Sequence, residues 1–199
     1  MAKHDPDRKE RLLAGMEAAS LLLKAIGEPP REGLEDTPAR VAKAWIDDWT
    51  WGYDVDPLSV LKSFKDGAAG YDELVMETNI PVYSKCEHHM ADIFGVAHVA
   101  YIPDGRVVGL SKIARVVESF ARRLQVQERL TVQVADTLMA GLVPRGVAVM
   151  LQCRHMCMES RGVNRPGVVT STVALRGVFA TKPEARAEFM SLVNGRRVV

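Results

Sequence analysis

The sequence predicts an α+β fold: a four-stranded antiparallel sheet with two helices on one face, in the order β-β-α-α-β-β, behind an N-terminal helical segment. Three observations predict it. Apolar residues recur near a helical period before residue 50, and from Leu74 the period shifts toward two. After residue 110, two helical stretches come before two more strand-like ones. That order makes one sheet with both helices on the same side. We place the boundary at residue 70, with 1–70 the helical segment and 71–199 the sheet domain.

The first helix spans residues 7–26, where Leu12, Leu13, Met16, Ala19, Leu22, Leu23 and Ile26 fall in step, and Gly27-Glu28-Pro29-Pro30 stops it. A second starts at Asp36-Thr37-Pro38. Asp36 or Thr37 is placed to cap it, and Pro38 suits a first turn because its missing N–H has no partner there anyway. Val41, Ala44, Trp45 and Trp49 form its apolar stripe, and Gly52 is read as its end. Residues 54–71 read as a connector. Strands follow at 74–82 and 93–102, with Pro103-Asp104-Gly105 as turn chemistry before Val107-Val108. Helices are expected over 111–125 and 129–142, strands over 146–158 and 168–179, and a closing helix over 182–193. The outer strands of such a sheet are unpaired. Open edges invite pairing with further copies, so a symmetric oligomer, closed into a barrel across subunits, is expected.

Composition excludes several classes. The 199 residues carry 26 Lys+Arg against 25 Asp+Glu, a net charge of +1, so no global field holds a polyanion. A nucleic-acid-binding module is disfavoured on that ground and because no paired zinc-finger spacing occurs. No apolar run approaches the roughly 18 residues of a membrane span, and the opening Met-Ala-Lys-His-Asp-Pro lacks the apolar stretch of a signal peptide. A cytoplasmic protein is expected.

Three cysteines, Cys86, Cys153 and Cys157, are too few for a disulfide framework, and three of the five histidines lie close to them. Cys86-Glu87-His88-His89 presents a Cys-x-x-His spacing after a strand. In a strand over 146–158, alternation puts Cys153, His155 and Cys157 on one face. Thiolate and imidazole are the ligands zinc prefers. Alone, either cluster is as well explained by buried cysteine and ordinary core histidine. Together they point to a metal. A closed structural site takes four ligands in paired blocks, and no second pair exists here. Two thiolates and one imidazole leave one position open, as in a catalytic zinc site, and spare histidines beside it are free for proton transfer.

Basic residues offer a second pattern. Arg40 and Lys43 sit three apart on one helix, and Gly109-Leu-Ser111-Lys112-Ile-Ala-Arg115 opens another, where free amides favour an anion. Arg161 follows Cys157 by four residues. No glycine-rich phosphate loop is present, so a phosphate has to be met by scattered basic residues.

At these segments the sequence resembles a known family. Cys86-Glu-His-His89, Gly109-Leu-Ser-Lys-Ile-Ala-Arg115, Arg123-Leu-Gln-Val-Gln-Glu-Arg-Leu-Thr131, His155-Met-Cys-Met-Glu-Ser-Arg-Gly162 and Asp36-Thr-Pro-Ala-Arg-Val-Ala-Lys43 are similar to the signature segments of GTP cyclohydrolase I, over residues 10–193. The resemblance implies a tunnelling fold, commonly assembled as a homodecamer of two pentameric rings. It implies hydrolysis and rearrangement of GTP to 7,8-dihydroneopterin triphosphate and formate, the first step toward folates and other pterins. By the same resemblance Cys86, His89 and Cys157 are zinc ligands, and His88 and His155 transfer protons. Glu128 reads the guanine edge, and Gln127 beside it also binds the substrate. Ser111, Lys112, Arg115, Arg161, Arg40 and Lys43 contact triphosphate and ribose from more than one subunit.

Residues 163–170 depart from the family, with Pro166 and Gly167 where polar residues are expected, and Cys153 is read as a buried free thiol. Two other readings compete with this one. One is an inactive zinc-binding oligomeric paralogue. The other is a different tunnelling-fold enzyme acting on a pterin or deazapurine, against which the Cys/His/Cys set argues.

Overall fold

The computed structural model describes residues 7–66 and 70–195; residues 1–6, which open the stretch read for a signal peptide, lie outside these. Helix α1 (Arg8–Ala25) stops at Gly27, whose φ of +75° suits glycine. Helix α2 (Thr37–Lys43) has Pro38 in its first turn. The expected side-chain cap is not made: the Asp36 carboxylate instead accepts from the Arg40 guanidinium at 2.9 Å. The helix then widens into π-helical turns over Ala44–Trp49 and tightens over Trp51–Asp54, so Gly52 does not end it. Gly52 serves a close approach instead. Its N–H donates to the Arg122 carbonyl at 3.0 Å, and a Cβ there would stand 2.2 Å from the Ser119 carbonyl oxygen.

The sheet is built from β2 (Val75–Cys86), β3 (Asp92–Ile102), β5 (Leu124–Gln125), β6 (Gly146–His155) and β7 (Thr170–Gly177), in the order β5-β2-β3-β6-β7. Short strands β1 (Ser63–Phe64) and β4 (Val107–Val108) form a separate antiparallel pair. Between the two halves lie α3 (Leu110–Ala121) and α4 (Gln127–Leu142), which give the β-β-α-α-β-β order of the tunnelling fold.

Several boundaries differ from the sequence reading: the strand expected over 74–82 runs on to Cys86, and the one expected over 168–179 gives way to a helical turn at Val178. The helix expected over 111–125 ends at Ala121, because Leu124 and Gln125 pair in parallel with Lys85 and Cys86 and add a fifth strand. Tertiary pairing overrides the helical spacing of Leu124. The strand expected over 146–158 ends at His155, which lies opposite Ile93 near the start of β3. Beyond it the ladder has no partner groups, and the chain satisfies its own in a helical turn, α5 (Met156–Glu159). Cys157 therefore sits on that turn and not on the strand.

Strand alternation divides the core. Val82, Val99, Tyr101, Val147, Val149 and Leu151 face α3 and α4, meeting Ile113, Val117, Leu130 and Leu138. Ala100, Ala148 and Met150 point the other way, onto Phe179 and Phe189. These come from α6 (Val178–Thr181) and α7 (Pro183–Asn194), and their rings meet edge to face at 6.1 Å. Each such large side chain, fully buried, contributes roughly 1.5–3 kcal/mol. The fold thus holds the ends of β2 and β6, where Cys86 and His155 stand, rigidly side by side across β3.

Candidate active site

Cys86 closes β2, and the chain folds back at once: its N–H donates to the Ala91 carbonyl and its carbonyl accepts from the Met90 N–H, both at 2.8 Å. Met90 takes a φ of +54° to make that reversal. The tight loop throws out His88 and His89, whose Nδ1 atoms lie 3.7 and 4.0 Å from the Cys86 sulfur. Across β3, α5 presents Cys157. One ligand atom each from Cys86, His89 and Cys157 lie within 4.8 Å of one another.

This group fits a zinc ion. Bonds of roughly 2.0–2.3 Å in a tetrahedron set neighbouring ligand atoms about 3.3–3.8 Å apart, so only a small closure is needed. The donor chemistry agrees. Burial pushes the Cys157 thiol up, and the neighbouring Cys86 adds to it, so a bound cation would favour its thiolate. Cys153, two residues before the end of β6 and 1% exposed, is pushed up to about 12 by burial and behaves as the expected inert thiol. All three cysteines are free.

His155 is positioned from behind. Its Nε2 lies 2.8 Å from the side-chain oxygen of Gln127, at the start of α4. The Gln127 amide nitrogen donates to the carbonyls of Leu151 (3.3 Å) and Thr170 (3.0 Å) and to the Thr172 hydroxyl (3.0 Å). Three acceptors fix the amide, so its oxygen must face the imidazole. His155 therefore donates from Nε2 and keeps Nδ1 as the free acceptor. Burial lowers its pKa, with the Glu128 charge acting in the opposite direction, so the ring is neutral near pH 7. Gln127 itself is 1% exposed and reaches the site through His155. We expect Gln127→Leu to free the ring: turnover should fall at least tenfold, and stability by about 1–3 kcal/mol from unpaired carbonyls. Parallel kinetics and denaturant titration check this, and unchanged turnover would remove the positioning role.

The structure brings Cys86, His88, His89, Gln127, Glu128, His155 and Cys157 together, and the Arg161 charge reaches Cys157. It leaves the other basic residues apart. Ser111, Lys112 and Arg115 lie in the first turns of α3, and Ser111 stands about 15 Å along the helix axis from the Ala121 end that leads to β5. Arg40 and Lys43 are exposed on α2, and Arg40 pairs with Asp36.

Two features went unread in the sequence. Glu87 holds Arg129 in an ion pair and its N–H donates to the Gln125 carbonyl at 3.1 Å, tying the metal loop to α4. Glu159, buried, accepts from Arg154 at 2.7 Å, and that guanidinium holds its carboxyl below the usual range. With the Arg165 N–H on the Met158 carbonyl at 3.0 Å, this anchors the start of the atypical stretch 163–170, whose residues are exposed up to 169. Pairs five or seven positions apart across a turn leave no periodic signal.

In this tunnelling-type α+β fold, two sulfurs and an imidazole gather where β2 and β6 end, beside a neutral histidine, and form a site that could hold a metal ion, as an enzyme's active site does. Comparison with known proteins agrees. The family model described as GTP cyclohydrolase I matches residues 16–194. The "GTP cyclohydrolase 1" of Janthinobacterium sp. (strain Marseille) is 55% identical over 172 residues, covering 86% of each chain. That of Chlorobaculum tepidum is 53% identical over 191 residues, covering 94% of this chain and 84% of its own. Among solved structures, the archaeosine synthase QueF-Like in the apo form aligns with 52% of this chain and 93% of its own, at a TM-score of 0.44 and 24% identity. The chain belongs to the GTP cyclohydrolase I family.

Proposed function

We propose that this chain hydrolyses GTP and rearranges it to 7,8-dihydroneopterin triphosphate and formate, with zinc held by Cys86, His89 and Cys157. The observation that carries this reading is the convergence of those three ligand atoms within 4.8 Å. Zinc, when bound, supplies a water made nucleophilic at neutral pH. The chain's own residues do the rest. Purine C8 is a weak electrophile, and protonation at N7 activates it. His88 and His155 divide that proton delivery and the proton removal that accompanies addition and ring opening. Glu128 accepts from guanine N1–H and the 2-amino group. Adenine lacks that donor pair and would leave the carboxylate unmatched, so ATP is rejected.

Arg161 holds phosphate or ribose near the reacting ring. Ser111, Lys112 and Arg115, toward the start of α3 and away from its β5 end, hold the triphosphate of a neighbouring copy, joined by Arg40 and Lys43. The active site is then assembled across subunits, and we assign a homodecamer with residues 71–199 as the catalytic domain. Among the described residues no helix is long and apolar enough to cross a membrane, and a cytoplasmic location fits a nucleotide substrate.

Incubating the purified protein with GTP should release formate and produce a pterin absorbance in equal amounts. A strong chelator should stop both, and zinc should restore them. Stoichiometric zinc without formate would favour the inactive paralogue. Turnover that survives complete zinc removal would overturn the metal assignment.

A further inference from the structure

Lys85 immediately precedes Cys86 in β2 and keeps only 8% of its side chain exposed. Its ammonium lies 3.7 Å from the ring centroid of Trp49 and 5.2 Å from that of Trp45, and it is ion-paired with Asp92. The two indoles meet edge to face at 5.2 Å. Taking an ammonium out of water is costly, and here a carboxylate and two aromatic faces offset that cost. An apolar side chain would fill the same slot with no such compensation, so the cation is not explained by packing.

Its place in the chain supplies the reason. Lys85 and Asp92 face each other as the last antiparallel pair of β2 and β3. Past them lies the loop of Cys86, His88 and His89. The two tryptophans come from the π-helical turns after α2, so this one side chain joins the N-terminal helices to the base of the loop. The ladder contributes backbone pairing at that point, and the ion pair and ring contacts fix how the two strands splay. A splay of a fraction of an ångström moves the Cys86 sulfur and the His89 ring relative to Cys157.

We propose that Lys85 is a positioning residue that clamps the base of the metal loop between Trp49 and Asp92 and thereby sets zinc affinity. The proposal rests on the reading that this loop holds zinc. Chelator competition with the full-length protein tests both separately. Wild type should bind one zinc per chain and Cys157→Ala none; equal binding by the two would strike the site assignment itself. With wild-type binding in hand, Lys85→Met, which keeps the stem and removes the charge, should weaken zinc binding about tenfold. Lys85→Arg should stay within about twofold of wild type, because a guanidinium also stacks on indole and reaches a carboxylate. Thermal unfolding of the metal-free proteins should differ little between wild type and Lys85→Met. Wild-type affinity in Lys85→Met, or an equal loss in Lys85→Arg, would overturn the clamp. Should Lys85→Met fail to fold, Asp92→Asn decides, since Asp92 is 60% exposed. Its zinc affinity should fall severalfold, and an unchanged value would likewise overturn the proposal.

Discussion

Cys157→Ala should lose bound zinc and turnover together. Cys86 and His89 lie on one short loop and offer two of the three ligand atoms; Cys157 is the only one of the three outside it. Two ligands on a loop do not hold the ion against competing water, so zinc content should fall from about one per chain to background. Formate release should fall by at least ~10³, the scale on which removing an essential activated nucleophile registers. The fold should survive, because Cys157 is only partly buried and packs at the margin of the core. Metal analysis, formate release and circular dichroism on one preparation check all three. A folded variant with wild-type zinc and turnover would sink the site assignment.

His155→Ala should show the complementary pattern: zinc kept, chemistry lost. The imidazole is no part of the ligand cluster, yet its free Nδ1 is presented from the ring that Gln127 holds at 2.8 Å. Loss of a positioned proton-transfer group costs typically 10²–10⁴ in rate, so kcat should fall by about that factor with KM for GTP little changed. Because the ring is neutral near pH 7, the variant should also lose the acidic limb that its protonation gives the pH–rate profile. Single-turnover formate release with metal analysis is the deciding measurement. Full turnover would leave proton transfer to His88 alone.

Much of this site was legible because metal and proton chemistry restrict residue type so strongly. Cys86, His89, Cys157, His88 and His155 announce themselves by being cysteines and histidines close together in a chain with few of either. The sheet was legible for another reason: the short β-branched-rich apolar run Val147–Leu151 after Pro144-Arg145-Gly146 suits a strand buried on both faces. What escaped depends on contacts between distant segments. Leu124 keeps helical spacing but joins a strand because Lys85 lies beside it. Strand alternation carries on through Cys157, although the chain has already turned where β3 runs out of partners. The hydrogen bonds that hold Gln127 behind His155 join segments far apart in sequence, and nothing in the sequence marks Lys85, over which the tryptophans close.

The division of the ligand set between a loop and a distant turn bears on how the protein matures. From His89 to Cys157 is 68 positions of sequence, and nothing in an extended chain brings them together. Closing a segment of that length carries an entropic penalty, and pairing of β2 with β3 and of β3 with β6 closes it without any ion. A nascent chain released before β6 has docked on β3 therefore offers only Cys86 and His89, a weak pair. On the proposed zinc assignment, acquisition of the ion would be a late event, open to chains that have already folded, and the bound ion would staple the two segments together.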